Sequence, residues 1–308
     1  MRRSSLARLR RRLPPSGPLR VHANAWLTEP PSAETPRTAL VLLNTPPRPA
    51  SALRQLWRVS SYRVCADAAA NRLRESVRFA MGEKEPMVMG TPAVLRERLL
   101  ALQRVAHQHE SMVPDAVTGD FDSIRHDVLD FYRDRGCVIA HDPSPYSTDF
   151  DKALRLVEEA QAATGRNEGT AAARRWTVVA FGAFGDRFDH ELASINVLHR
   201  FRKFERLLLM GERMTACLLP PGRHLIRPNP LIEGPTCGLL PIGGRCDAVW
   251  TSGLRWNLRG EALEFGGTIS SSNKLVPCAT TGRLEVRVTN SHPLIWTTVL
   301  RPDGWPLT

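Results

Sequence analysis

Asp120 and Asp122 stand on either side of Phe121 in the run PDAVTGDFDSI, residues 114–124. The apolar pair Ala116-Val117 before them reads as the end of a strand. In an extended segment, residues i and i+2 point the same way. Two neighbouring carboxylates repel each other unless a cation lies between them, and magnesium prefers such oxygen ligands. The plain alternative is that Asp122 or Ser123 caps the following helix.

Three other segments carry the same kind of residue. CADAAANRL places Asp67 just after an apolar run, with Asn71 and Arg72 one helical turn on. STDFDKAL places Thr148, Asp149 and Lys152 at a helix start. A lysine there can meet a phosphate beside the free amides of the helix N-terminus, or simply pair with Asp149 at i,i+3. GAFGDRFDH joins Gly182 and Gly185, which let backbone approach a ligand, to Arg187, Asp189 and His190. Arg187 can clamp phosphate oxygens with its planar fork or make a local salt bridge with Asp189. His190 also fits a partly buried structural histidine. No Gly-x-x-x-x-Gly-Lys-Ser/Thr loop and no Gly-x-Gly-x-x-Gly follows a strand. A nucleotide site here has to be built from acidic turns and metal.

The elements that position these residues follow one plan. YRVCADAAANRLRESV reads as a strand ending near Ala66, a turn, and a helix opening around Ala69. The run from 115 to 136 repeats strand, acidic turn and amphipathic helix, with Ile124, Val128, Leu129 and Tyr132 on one face and Gly136 as the stop. The segments beginning at Cys137 and Arg175 do so again. Strand–helix alternation predicts a parallel sheet flanked by helices. Its ligand crevice lies at the C-terminal ends of the strands, where all four motifs fall.

After about residue 212, short β-like runs alternate with Gly, Pro and Asn, which predicts a β-sandwich or barrel. The expected organisation is therefore a basic, disordered tail over 1–20, an α/β nucleotide-binding domain over 21–212, and a β-sandwich over 213–308. Residues 80–112 are expected to be an insertion packed outside the α/β core.

Composition narrows the class. Hydrophobic residues make up 42% and charged residues 24%, as in a soluble globular protein. No apolar run approaches the roughly 20 residues that span a bilayer. The net charge of +11 invites a nucleic-acid reading, but the arginines are spread without interleaved aromatics, so no nucleic-acid partner is expected. The six cysteines form no Cys-x-x-Cys pair and fit reduced thiols in a cytoplasmic protein. The Arg- and Ser-rich first 20 residues, free of acidic side chains, also fit a mitochondrial import signal.

Taken together, CADAAANRL, GDFDSI, STDFDKAL and GAFGDRFDH resemble the thiamine pyrophosphokinase (thiamine diphosphokinase) family. GLRWNL, FGGTISSSN and HPLIWT in the β-rich half extend the likeness, in the family's order, across roughly residues 62–300. The C-terminal set resembles the eukaryotic branch. The resemblance implies transfer of diphosphate from ATP to the hydroxyethyl group of thiamine, giving thiamine diphosphate and AMP. It implies an α/β domain followed by a β-sandwich, and a homodimer with thiamine at the interface. By position, Asp67, Asp120, Asp122 and Asp149 match the catalytic set, with Mg2+ on Asp120, Asp122 and Asp149. Asn71, Thr148, Lys152, Arg187 and Asp189 match the nucleotide side. Trp256, Asn257, Ser270 and Ser272 match the segment that holds thiamine. Ala68, Ala69, Ala183 and Asp186 depart from the family's glycines.

Two other readings fit the residues. One is a non-catalytic nucleotide-binding protein on the same scaffold, and the other is a different metal-dependent phosphotransferase. Formation of thiamine diphosphate and AMP separates all three.

Overall fold

A computed structural model describes residues 17–29, 32, 36–80, 112–167, 175–185 and 187–305. The expected insertion therefore lies almost wholly outside the described residues, as do the tail's first 16 residues and Asp186. The chain divides into two compact units. One comprises residues 27–213 with 305–308, and the other residues 1–26 with 214–304.

In chain order, the first strand, β1 (Leu19–Ala23), belongs to the second unit. The α/β unit then runs β2 (Thr38–Leu42), α1 (Ala50–Val59), β3 (Tyr62–Ala66), α2 (Ala69–Ala80), β4 (Ala116–Gly119), α3 (His126–Arg133), β5 (Val138–His141), α4 (Asp149–Asn167), β6 (Thr177–Phe181), α5 (Phe188–Arg200) and β7 (Arg206–Met210). Its strands pair in the order β7-β6-β2-β3-β4-β5, each neighbour parallel to the next. β2 (TALVL) and β6 (TVVAF) are buried along their whole length, as strands covered on both faces must be. Ile124, Val128, Leu129 and Tyr132, the apolar stripe expected around α3, are all buried.

This order has a functional consequence. The chain lays down β2 to β5 in one direction and then returns to place β6 on the other side of β2. The order reverses between β2 and β6, and a crevice opens beyond the strand ends at such a reversal.

The second unit is all β, with strands β8 (Met214–Leu219), β9 (Gly222–Arg227), β10 (Glu233–Leu240), β11 (Cys246–Ser252), β12 (Arg259–Leu263), β13 (Ser270–Lys274), β14 (Val286–Asn290) and β15 (Leu294–Leu300). They form two layers, β13-β10-β15-β8 and β1-β9-β14-β11-β12. From Trp296 on, β15 alternates inward residues (Trp296, Thr298, Leu300) with half-exposed Thr297 and Val299, the period-2 pattern of a sandwich strand.

β1 corrects the expected boundary. The α/β domain does not begin at residue 21, and Leu19 and Arg20 are not tail. β1 pairs in parallel with β9 from Leu19↔Arg223 to Ala23↔Arg227. The buried Glu233 carboxylate anchors the next residue, with Asn24 Nδ2 2.9 Å from both of its oxygens. The sequence motifs gave no hint of this, because a strand pairing across some 200 residues leaves no local signature.

Candidate active site

The described residues include a pocket of about 450 Å3 in the α/β unit. It is lined by the ends of five strands: Asn44 and Thr45 after β2, Asp67 after β3, Asp120 after β4, Thr148 and Asp149 after β5, and Gly182 to Gly185 after β6. All four sequence motifs converge there.

Asp67, Asp120 and Asp149 each offer a carboxylate oxygen within 4.8 Å of the others. Asp67 is buried in a left-handed turn, φ 43°. Its amide donates to Thr118 O at 2.7 Å, locking it against β4. Its Oδ1 is buried with no hydrogen-bond partner. Desolvation pushes its carboxyl up to about 6; Asp149, Asp122 and Asp120 add like-charge repulsion, and the Ala68 amide opposes the shift. Such a group is expensive to leave bare. The cation already present is Lys152, itself buried, whose Nζ lies 3.0 Å from Asp149 Oδ1 and 3.9 Å from Asp120 Oδ2. A trio of hard oxygen donors with one unpartnered buried oxygen fits a divalent cation such as magnesium.

Asp122 is not in that trio. Phe121 takes φ 62°, so residues 120–122 are not extended and the alternation rule of an extended segment does not apply. The Asp122 amide turns back to Asp120 Oδ1 at 3.3 Å, and its carboxylate accepts from Ser123 Oγ at 2.6 Å. Asp67 supplies the third carboxylate of the trio, and Asp122 lies close enough to add to its like-charge repulsion.

The nucleotide-side residues divide into three kinds. Thr148 caps α4: Asp151 N donates to its Oγ1 at 3.2 Å, and its own amide donates to Asp151 Oδ2 at 3.1 Å, a reciprocal cap. Asn71 holds the loop after β4, donating to Ser123 O at 3.0 Å and accepting from Arg125 N at 3.1 Å. Its amide is committed to shaping the turn. Arg187 is exposed at the pocket wall, with Nε 3.1 Å and Nη2 2.5 Å from the two oxygens of Asp189. That contact holds the Asp189 carboxyl below its usual range. Asp189 thus presents the arginine.

Sequence reasoning missed Asn44 and Thr45. Thr45 hydrogen-bonds Gly182 O across the point where strand order reverses. A Cβ on Gly182 would lie 2.8 Å from Thr45 Oγ1, so glycine is required for that approach. The segment LNTPP carries no charge or glycine to draw notice; only the sheet order marks it.

In the β unit, Trp256 is 56% exposed and so is not a core tryptophan. Buried Asn273 fixes it by accepting from Trp256 N at 3.2 Å and donating to Trp256 O at 2.8 Å. Asn273 also donates to Ser270 Oγ at 3.3 Å, and Ser272 is exposed at φ 58°. Asn257 folds back on its own turn, accepting from Leu254 N at 3.1 Å and donating to Leu254 O at 2.8 Å. Asn273, in the run SSSNK, was the organising residue that the sequence reading passed over.

The catalytic-domain model of thiamin pyrophosphokinase matches residues 53–210, and the vitamin B1 binding domain model of the same enzyme matches residues 223–295. The chain belongs to the thiamin pyrophosphokinase family. It is 32% identical over 292 residues to thiamine pyrophosphokinase 2 of Arabidopsis thaliana, covering 93% of this chain and 95% of that one. It is 34% identical over 250 residues to thiamine pyrophosphokinase 1 of Oryza sativa subsp. japonica, covering 80% and 81%. The fold is that of yeast thiamin pyrophosphokinase (TM-score 0.69, 23% identity, 93% of each chain) and of the Candida albicans protein (TM-score 0.68, 22% identity, 94% and 96%).

The activity is therefore that of a thiamine diphosphokinase with ATP as co-substrate. Within this family member, the alanine replacements are accommodated. Ala68, Ala69 and Ala183 are buried, and none takes a positive φ. The left-handed residue of the first motif is Asp67, one position earlier.

Proposed function

We propose that Asp67, Asp120 and Asp149 hold Mg2+ for the transfer of diphosphate from ATP to thiamine. The observation that carries this is the three-carboxylate cluster with a buried, unpartnered Asp67 oxygen. Bound there, the cation would supply charge neutralisation for the phosphate oxygens.

The chain's own groups do the positioning. Thr148 and Asp151 fix the start of α4, aiming its free amides and Lys152 toward the cluster. Lys152 balances part of the carboxylate charge from a site that bulk water does not reach. Arg187, presented by Asp189, takes phosphate oxygens in its fork. Gly182 and Gly185 let the loop backbone approach the nucleotide. The proton of the thiamine hydroxyl passes to a carboxylate of the cluster.

On the thiamine side, Trp256 offers a flat exposed face for a cationic aromatic ligand, and Ser270 shares the Asn273 side chain that fixes it. We propose a homodimer with thiamine at its interface. Exposed Trp256, Phe265, Ile269 and Val276 in the β unit support such self-association. A cytoplasmic location accords with six free cysteines, five of them buried.

Incubation with ATP, Mg2+ and thiamine tests the reading. Thiamine diphosphate and AMP should appear in equal amounts, and EDTA should stop their formation. Turnover that persists in EDTA would remove the metal from the account.

A further inference from the structure

The parallel pairing of β4 with β5 ends at Gly119↔His141. That register sets the His141 ring beside the two residues that follow Gly119. Its Nε2 lies 3.1 Å from Asp120 O. A carbonyl oxygen only accepts, so Nε2 carries the hydrogen. The same ring stacks on Phe121, with centroids 5.2 Å apart and planes at 26°, inside the range of favourable aromatic pairs. One side chain thus grips two consecutive residues.

Those two residues need a grip. Phe121 holds φ 62°, a left-handed conformation that a bulky side chain disfavours. Such backbone persists where its surroundings over-determine it. The far side of the loop is held by Asn71, through Ser123 O and Arg125 N. The near side carries Asp120, whose carboxylate is loosely tied. Its Oδ1 accepts from Asp122 N at 3.3 Å, and its Oδ2 is 3.9 Å from Lys152 Nζ. The direction of that carboxylate is therefore set by the backbone beneath it.

We infer that His141 is a positioning residue for the acidic trio. It holds the Asp120 carbonyl and the Phe121 ring together, and so keeps the left-handed turn that presents the Asp120 carboxylate to Asp67 and Asp149. His141 does not line the pocket, so it acts through Asp120. Nothing in the run VIAH marks this role in the sequence; the β4–β5 register and one dihedral angle create it. The inference rests on the metal reading of the cluster.

Titration of the full chain with Mn2+, a hard cation that takes the same oxygen ligands, followed by electron paramagnetic resonance, tests it. His141→Ala should bind Mn2+ about tenfold more weakly, because it loses a hydrogen bond and a ring contact together. His141→Phe keeps the stack and His141→Gln keeps an N–H donor, so each should recover part of the loss. Phe121→Gly removes the left-handed penalty. In that background His141→Ala should cost no more than about threefold. Equal losses in both backgrounds would overturn the proposal, since His141 would then act apart from the turn. Asp120→Asn is titrated alongside. If Asp120→Asn loses Mn2+ while His141→Ala binds it as wild type does, the brace is overturned and the metal assignment stands, even where His141→Ala melts lower in EDTA. If Asp120→Asn binds Mn2+ as wild type does, both are overturned.

Discussion

Gly119 lies directly against Asp67: a Cβ on the glycine would come within 2.7 Å of Asp67 Cβ and 3.2 Å of Asp149 Oδ1. The last residue of β4 is thus the spacer that lets the carboxylates following its two flanking strands, β3 and β5, approach. Gly119→Ala should push Asp67 away and cost roughly 1–3 kcal/mol of stability, as overpacking does. Activity should fall far more than that instability explains at a temperature where the variant is still folded. A folded Gly119→Ala enzyme with wild-type turnover would mean that the spacing is not critical.

The Asp67 carboxyl gives a pH signature in the metal-free protein. It titrates at about 6 when folded, against about 3.9 in an unfolded chain. Between those values the folded state binds more proton, so stability falls as pH rises through about 4 to 6 and levels off above. Asp67→Asn should remove this slope. In EDTA at pH 8 it should be more stable than wild type by about 1–3 kcal/mol, with no gain at pH 3. Denaturant midpoints across this range check it; an unchanged slope in the variant would show that Asp67 carries no such penalty.

Arg187 tests the phosphate clamp. Lysine keeps the charge and loses the planar fork. Arg187→Lys should therefore lower kcat/KM for ATP by about tenfold or more, with KM for thiamine unmoved. Equal kinetics would reduce the Arg187–Asp189 contact to a surface salt bridge, which contributes little.

The interface proposal predicts complementation. Asp120→Asn and Trp256→Ala chains, each inactive and folded, should regain activity when mixed, because a two-fold interface rebuilds one intact site. Subunit exchange is followed independently by mass. Confirmed heterodimers without activity would place Trp256's role within its own chain.

Much of this was legible in the sequence because strand–helix alternation is a local signal. Asp67, Asp120, Asp149 and Lys152 each follow an apolar run or open a helix, so their convergence follows from the parallel sheet. What was not legible depended on single dihedral angles and long-range pairing. Phe121 takes a left-handed φ, so the i,i+2 rule failed, and Asp67, Asp120 and Asp149 form the closest trio. Asn71 and Asn257 were expected at the nucleotide and thiamine sites, yet their amides shape turns, Asn71 with residues some 50 positions away and Asn257 within its own turn. β1 was read partly as tail because its partner, β9, lies some 200 residues away. Asn44 and Thr45 became visible only when the strand order showed where it reverses.

The central claim is that the working carboxylates are Asp67, Asp120 and Asp149, with Asp122 outside the set. The most direct measurement is the rate of thiamine diphosphate formation by the four single Asp→Asn variants at saturating Mg2+, ATP and thiamine. Loss of several kcal/mol of transition-state stabilisation should bring Asp67→Asn, Asp120→Asn and Asp149→Asn to background while each remains folded by circular dichroism. Asp122→Asn should retain substantial turnover. An Asp122→Asn enzyme as inactive as Asp120→Asn, or a fully active Asp67→Asn enzyme, would contradict the assignment.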